Sequence, residues 1–239
     1  MRFFLIFLLL NFVMSVHAKV SVRVNQMLLD FADNPRMSDV LSGLSKQQTW
    51  YWPAAALYRL DTSLGEQQRS NIITQLEFVA LSLNQTNALK ARSLINQIKQ
   101  WQLADRVRMT IDYQASRVNL DKNPRFENGH YLLELYTRPT TATVFGLIDQ
   151  PIKLDLATQL CAEDYIQRLD IDLANPDYVY IIQPDGVIKK TGVAYWNSAC
   201  ADIMPGSQIY LALPESQFFK HNTRLNEQIA QLATSKLGL

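Results

Sequence analysis

The residues through which this 239-residue chain could do chemistry are few. They are His17, His130 and His221, Cys161 and Cys200, the acids of Glu163-Asp164 and Asp170-Ile171-Asp172, and the aromatic run Trp50-Tyr51-Trp52-Pro53. A glycosidase needs two carboxylates facing each other across a sugar, about 5 to 9.5 Å apart. Acids adjacent in sequence more often form a solvated face than an opposed pair. A Ser-His-Asp centre would have to recruit His130 or His221, and no GxSxG elbow is present to carry its nucleophile. Zinc would require clustered Cys and His, which three histidines and two cysteines do not supply. The eight glycines are scattered without GxGxxG or GxxxxGK[ST], so no nucleotide cofactor is expected. The sequence therefore assigns no catalytic residue, no metal ligand and no cofactor.

Trp50 and Trp52 have a different use open to them, because the CH-bearing faces of sugar rings stack on aromatic planes. The competing role is core filling, which aromatic side chains mainly serve and which carries more weight here. Charge is balanced, with 23 Lys and Arg against 22 Asp and Glu and a net charge of +1, so there is no basic footprint for nucleic acid. At 48% hydrophobic and 19% charged residues, the composition is that of a globular chain.

Arg2, the apolar run Phe3 to Val16 and the small-residue exit Val16-His17-Ala18 read as a secretory signal over residues 1–18, cleaved after Ala18. The apolar run falls short of the roughly 20 residues a spanning helix needs, so no stable membrane span is expected after cleavage. Export makes disulfides possible, and Cys161 and Cys200 are predicted to pair. Closing that loop is worth about 4 kcal/mol in the chain-entropy model. The alternative is two separate buried thiols.

The elements that must position these residues follow from periodicity. Val20 to Phe31 alternates with period two around Asn25-Gln26 and reads as a β-hairpin, followed by a short helix over 37–44. Between Asp61 and Trp101 two apolar stripes, Ile72, Leu76 and Val79, then Ala91, Leu94, Ile95 and Ile98, predict an antiparallel helical hairpin (about 61–103) packed by one side on a body. Strands are predicted over 107–111, 117–120, 131–136, 141–147, 152–156, 178–182, 187–190 and 208–213, with a helix over 163–169 and a turn at Pro184-Asp185-Gly186. The order strand, strand, helix occurs over 20–44 and again over 141–169, as if one design were used twice. Leu225, Ile229 and Leu232 share one face of a helix over 222–237, which is expected to dock on the body or on a partner protein.

Four separated blocks then bear a resemblance. Arg138-Pro139-Thr140-Thr141-Ala142-Thr143-Val144-Phe145-Gly146-Leu147-Ile148 comes first, followed by Ile182-Gln183-Pro184-Asp185-Gly186, Val193-Ala194-Tyr195-Trp196-Asn197 and Met204-Pro205-Gly206-Ser207. With Trp52-Pro53-Ala54-Ala55, they make the chain resemble the GfcC family of capsule and exopolysaccharide biosynthesis proteins. The resemblance implies an α+β protein of the periplasm with two tandem β-grasp domains. The first would span 19–137 with the helical hairpin inserted, the second 138–214, and an amphipathic helix 215–239. It also implies an arginine after the second inserted helix, which falls at Arg106. A guanidinium there could hold a uronate or phosphate bidentately, or pair with Asp105. Arg108, two residues on, is the competing position.

Three functions follow. The leading one is a monomeric, non-enzymatic accessory protein that binds polysaccharide or the outer-membrane polysaccharide exporter, with Arg106, Trp50 and Trp52 as ligand contacts. The second is a polysaccharide-processing enzyme whose acids converge only in the fold. The third is an assembly factor that engages the exporter through Leu225, Ile229 and Leu232.

Overall fold

The computed structural model describes residues 20–46, 48–157, 160–169, 176–214 and 220–239. The expected signal segment 1–18 and the acids Asp170 and Asp172 lie outside the described residues.

Strands β1 (Val20–Val24) and β2 (Met27–Phe31) form the expected hairpin, with Val20 opposite Phe31 and Val24 opposite Met27. Asn25 takes the left-handed conformation at φ 50°, which a short polar side chain tolerates in a tight turn. Its side-chain amide also donates to Leu135 O at 3.1 Å and accepts from Leu135 N at 3.0 Å, pinning the hairpin to the neighbouring strand. That neighbour, β5 (Gly129–Glu134), runs parallel to β1. Beyond it lie β3 (Ala56–Arg59) and β4 (Asp105–Val107), each antiparallel to the strand before it, for a sheet order β2-β1-β5-β3-β4. Helix α1 (Met37–Leu41) covers one face, where Met37, Val40 and Leu41 join Val20, Val22, Leu57 and Leu133.

The second unit repeats the plan. β6 (Thr141–Gly146) and β7 (Ile152–Asp155) form its hairpin, α5 (Ala162–Arg168) follows, and β8 (Tyr178–Ile182), β9 (Ile188–Gly192) and β10 (Gln208–Leu211) complete the order β7-β6-β10-β8-β9. A parallel central pair formed by the first and last strands, with a helix on one face, is a β-grasp, and the chain contains two in tandem. The link from third to fourth strand shows how they differ. In the second unit it is the Pro184-Asp185-Gly186 turn, and in the first it is the helical hairpin α2 (Leu64–Ala80) and α3 (Gln85–Lys99).

That hairpin covers the other unit. Ile72, Leu76, Leu94 and Ile98 pack on Phe145, Tyr180 and Tyr210 from the face of the second sheet that α5 leaves open. Trp101 meets Phe145 edge-on at 5.3 Å, and Phe145 stacks on Tyr210 at 5.1 Å. Gln97 is buried in this layer and makes three bonds across it, donating to Gly146 O at 3.1 Å and Ile148 O at 2.9 Å and accepting from Gly146 N at 3.1 Å. Gly146 adopts φ 120°, and a Cβ there would lie 2.3 Å from Leu211 O, so no side chain fits between the strands.

Helix α6 (Lys220–Ala233) completes the layer. Leu225, Ile229 and Leu232, offered by the sequence as partner contacts, are no more than 1% exposed and belong to this core. Their stripe is covered because the second sheet needs more apolar cover than the hairpin alone provides. Asn226 anchors the helix, accepting from Leu213 N at 3.0 Å and Tyr210 Oη at 2.9 Å and donating to Leu213 O. The chain then crosses to the first sheet, where Ala104 N donates to Ser235 O at 3.0 Å and Leu237 N to Gln102 O at 2.8 Å. Leu237 packs there against Ala56, Tyr58 and Leu132.

Other segments differ from the sequence reading. The strand expected over 107–111 lies instead at Asp105–Val107 and shares only Val107 with that span, because β3 pairs with 105–107. Strand 117–120 is instead the end of helix α4 (Tyr113–Val118) and a following 3-10 turn. Asp112 starts that helix by accepting from Ala115 N at 2.8 Å, a cap that outweighs the β preference of Val118. Strand β3 was not foreseen. It is buried on both faces, by Leu57 on one and Ala56 and Tyr58 on the other, so it lacks the alternation that marks a half-exposed strand.

Cys161 and Cys200 form a disulfide that ties the start of α5 to the segment before β10. Removing it by Cys200→Ser is expected to cost about 2–4 kcal/mol, read as a matching loss in urea unfolding that reductant alone reproduces in the native chain. Gln97→Ala should cost about 1–3 kcal/mol because it strands buried main-chain groups. The exposed Gln100→Ala should stay within about 0.5 kcal/mol; equal losses for the two would remove Gln97 from its bridging role.

Candidate functional site

The two units meet around an open cavity of about 840 Å³, large enough for several sugar rings. One wall is the 3-10 turn Trp52–Ala54, which Pro53 favours in its first turn and which Tyr51 fixes by donating its N–H to Tyr136 O at 2.8 Å. A second wall is the segment 108–112, just past the end of β4 and closed off by the Asp112 cap. The opposite wall is the turn 185–187 with Met204, and Gln231 of α6 closes one end. Trp52, Met109, Ile111 and Met204 supply apolar surface, while Arg108, Asp112, Asp185 and Gln231 supply charge and hydrogen bonds.

The far wall is built to hold still. Asp185 accepts from Val187 N at 2.9 Å and Gly186 N donates to Gln183 O at 2.9 Å, with Gly186 at φ 89°. Gln183, itself buried, donates to Asp202 O at 2.9 Å and accepts from Met204 N at 3.0 Å and from Ser207 Oγ at 2.5 Å. That network sets where Met204 meets the cavity. Arg108 is exposed and donates to Gln231 Oε1, which bridges the first unit to α6.

Trp52 and Arg108 therefore face one cavity, and Arg106 does not. Arg106 lies behind it, with Nη2 donating to Pro184 O at 2.6 Å and Nη1 to Thr234 O at 3.5 Å. Its guanidinium packs under the 185–187 turn, where a Cβ on Gly186 would come within 3.3 Å of it. Both terminal nitrogens donate to main-chain carbonyls, which makes Arg106 a clamp between the two units and α6. The gap beside it measures only about 20 Å³. Around it, Tyr58 donates to Lys236 O at 3.2 Å, and Glu134 accepts from Tyr136 Oη at 2.6 Å and Gly238 N at 3.2 Å. Burial pushes the Tyr58 hydroxyl up to about 12, against the opposing pull of Arg106. Burial and the bond to Glu134 raise Tyr136 as well.

Trp50 is half-buried against the first core and donates Nε1 to Leu44 O at 2.9 Å. With Trp52 and Tyr113 it lines a smaller side cavity of about 380 Å³, so Trp52 stands at the junction of two recesses. Of the acids singled out by the sequence, the two that are described are occupied elsewhere. Asp164 accepts from Cys161 N at 2.7 Å as a helix cap and Glu163 accepts from Ser198 Oγ. His130 is exposed on β5, near the Arg59–Asp61 ion pair, while the side chain of His221 lies outside the described residues. Sequence reasoning did not name Asp112, Asp185, Met204 or Gln231 as site residues. Asp185 and Met204 sit in two of the blocks that carried the resemblance, which was the available signal.

Fold and site together define a tandem β-grasp protein with an interdomain cleft and an interlocking helical layer. The family model "Capsule biosynthesis GfcC, N-terminal" matches residues 16–140, and "Capsule biosynthesis GfcC C-terminal" matches residues 150–238. The chain belongs to the GfcC family of capsule biosynthesis proteins. A relative from Escherichia coli (strain K12), described as uncharacterized protein YjbG, is 28% identical over 212 residues, covering 88% of this chain and 82% of that protein. Among the described residues, no helix is long and apolar enough to cross a membrane.

Two outcomes follow, one from the Arg106 clamp and one from the burial of Tyr58 beside it. Arg106→Met should destabilise the fold by about 1.5–3 kcal/mol, the range for hydrogen bonds to a charged group, as measured by urea unfolding. A variant that unfolds like the native chain would free Arg106 from this role. Because Tyr58 is held neutral in the fold, its contribution is fully present below pH 10 and is lost as pH rises toward about 12. Stability measured across that window should fall less steeply in Tyr58→Phe than in the native chain.

Proposed function

We propose that this chain is a periplasmic, non-catalytic accessory protein of polysaccharide assembly or export, and that it holds polymer in the cleft between its two β-grasp units. The observation that carries the reading is the cleft itself, an open cavity of about 840 Å³ that joins the Trp52 ring to the Arg108 guanidinium. A sugar presents CH groups on its faces and hydroxyls on its rim, so it needs an apolar plane with polar groups at the edges. Trp52 and Met204 offer the first, and Arg108, Asp185 and Gln231 the second. An open cleft suits an internal stretch of polymer better than a closed chamber would. Membership of a capsule biosynthesis family supplies the substrate class.

The non-catalytic part of the reading rests on the carboxylates. Glu163 and Asp164 are bound to Ser198 and to the start of α5, and neither is among the residues that line the cleft. The two acids in the cleft serve its walls, Asp112 as a helix cap and Asp185 as a turn acceptor. An action through the apolar stripe of α6 loses its support because that stripe is buried.

The test is calorimetric titration of the purified protein with the cell-surface polysaccharide of the organism that encodes it. Trp52→Ala and Arg108→Ala should each weaken binding by roughly ten-fold, about 1.4 kcal/mol, and the Arg108 contribution should shrink as salt rises. Polymer recovered after incubation should keep its chain length. Native-like binding by both variants would move the site elsewhere, and reproducible shortening of the polymer would make the protein an enzyme.

A further inference from the structure

Helices α2 and α6 pack together in the layer over the second sheet, with Ile72, Leu225 and Ile229 buried in its core. Between them they leave a recess of about 420 Å³. Carboxamides line both of its walls, Gln68 and Asn71 from α2 and Gln228 and Gln231 from α6. Each pair is three residues apart, the spacing that puts two side chains on one face of a helix. Gln75 fixes the width, since its Nε2 donates to Asn71 Oδ1 at 3.2 Å and to Gln228 Oε1 at 3.3 Å and so ties one wall to the other. A planar carboxamide held by its oxygen turns its NH2 group away from the holder, which leaves Asn71 and Gln228 with donors for a further partner.

The recess meets the cleft at Gln231, whose side chain lines both. Gln231 is held there, accepting from Arg108 and donating to Thr234 Oγ1 at 3.3 Å. From Gln231 the α6 wall runs back to Arg224, roughly 10 Å at the usual rise of a helix, so the recess adds length to the cleft. The lining also selects a ligand. A carboxamide presents a donor and an acceptor side by side, and a sugar hydroxyl, itself both donor and acceptor, can use either. Charge does not favour an acidic or a basic ligand, because Arg224 and Glu227 stand in the same lining and offset each other. The centre of a protein-protein interface is apolar and rich in aromatic residues. Among the described residues of this lining only Ile72 is apolar, and it is 3% exposed.

We propose that the groove between α2 and α6 is a continuation of the cleft that binds uncharged, hydroxyl-rich sugar residues of the same polymer. The proposal rests on the reading of this chain as a polysaccharide-binding protein. A bound chain passes over Gln231, and its hydroxyls meet the carboxamides of Gln68, Asn71 and Gln228.

The test uses the full protein and size-fractionated fragments of the polysaccharide of the encoding organism, titrated calorimetrically. Gln68→Ala combined with Asn71→Ala, both exposed on α2, should weaken binding of long fragments by roughly ten-fold and leave the urea midpoint at its native value. Gln228→Ala, on the opposite wall, should reproduce that loss. Fragments short enough to fill the cleft alone should bind the native chain and these variants equally. Full affinity for long fragments in the variants, alongside a loss in Trp52→Ala, overturns the continuation and leaves the cleft standing. Equal losses with short and long fragments overturn it too. Reducing the polymer's carboxyl groups to alcohols should leave the ten-fold loss unchanged, and a loss that vanishes on reduction overturns the uncharged assignment. Absence of binding by the native chain removes the groove together with the reading it rests on.

Discussion

A β-grasp sheet has one helix for two apolar faces, and in this chain the uncovered face of the second sheet is closed by helices that the first unit and the C-terminal segment supply. Phe145, Tyr180 and Tyr210 project from that face, and α2, α3 and α6 bury them. Burial of apolar area of this size is the dominant favourable term in folding. It also fixes direction, because Gln97 has only one place where its amide can satisfy Gly146 and Ile148 at once. Hydrophobic cover holds the units together, and a buried polar group sets their register.

The cleft is a product of that arrangement. Its walls come from separate units, so its width depends on how the second sheet sits against the helical layer. Arg106 reinforces the setting from behind by gripping the 184–186 turn and the end of α6, while Arg108 reaches the cavity because the strand has ended before it. Two arginines separated by one residue thus divide into a positioning role and a ligand-facing one.

The sequence made the architecture readable and most of the site obscure. Alternation gave β1 and β2, the 3.6-residue stripes gave α2 and α3, and the turn residues Pro184-Asp185-Gly186 marked the β8–β9 link, because each pattern reflects one exposed and one buried side. Strand β3 escaped for the complementary reason that both of its faces are covered. Helix α4 escaped because it is only six residues long and its one start signal is a single capping acid, Asp112. Trp52 was legible as a candidate, but its companions in the cleft are brought there from across the chain by the helical layer, a long-range contact that spacing does not encode. The stripe of α6 was visible, yet periodicity cannot say whether a neighbour covers it.

Residues 235–238 reach back across the fold to finish the first sheet. They pair with 102–104, lay Leu237 on Tyr58 and Leu132, and bond Gly238 to Glu134. The first sheet is thus sealed on that face by a segment that follows the whole second unit in the chain. Until residues 235–238 are in place, one face of the first sheet keeps a patch of uncovered strand surface, the kind of surface through which incompletely folded chains associate.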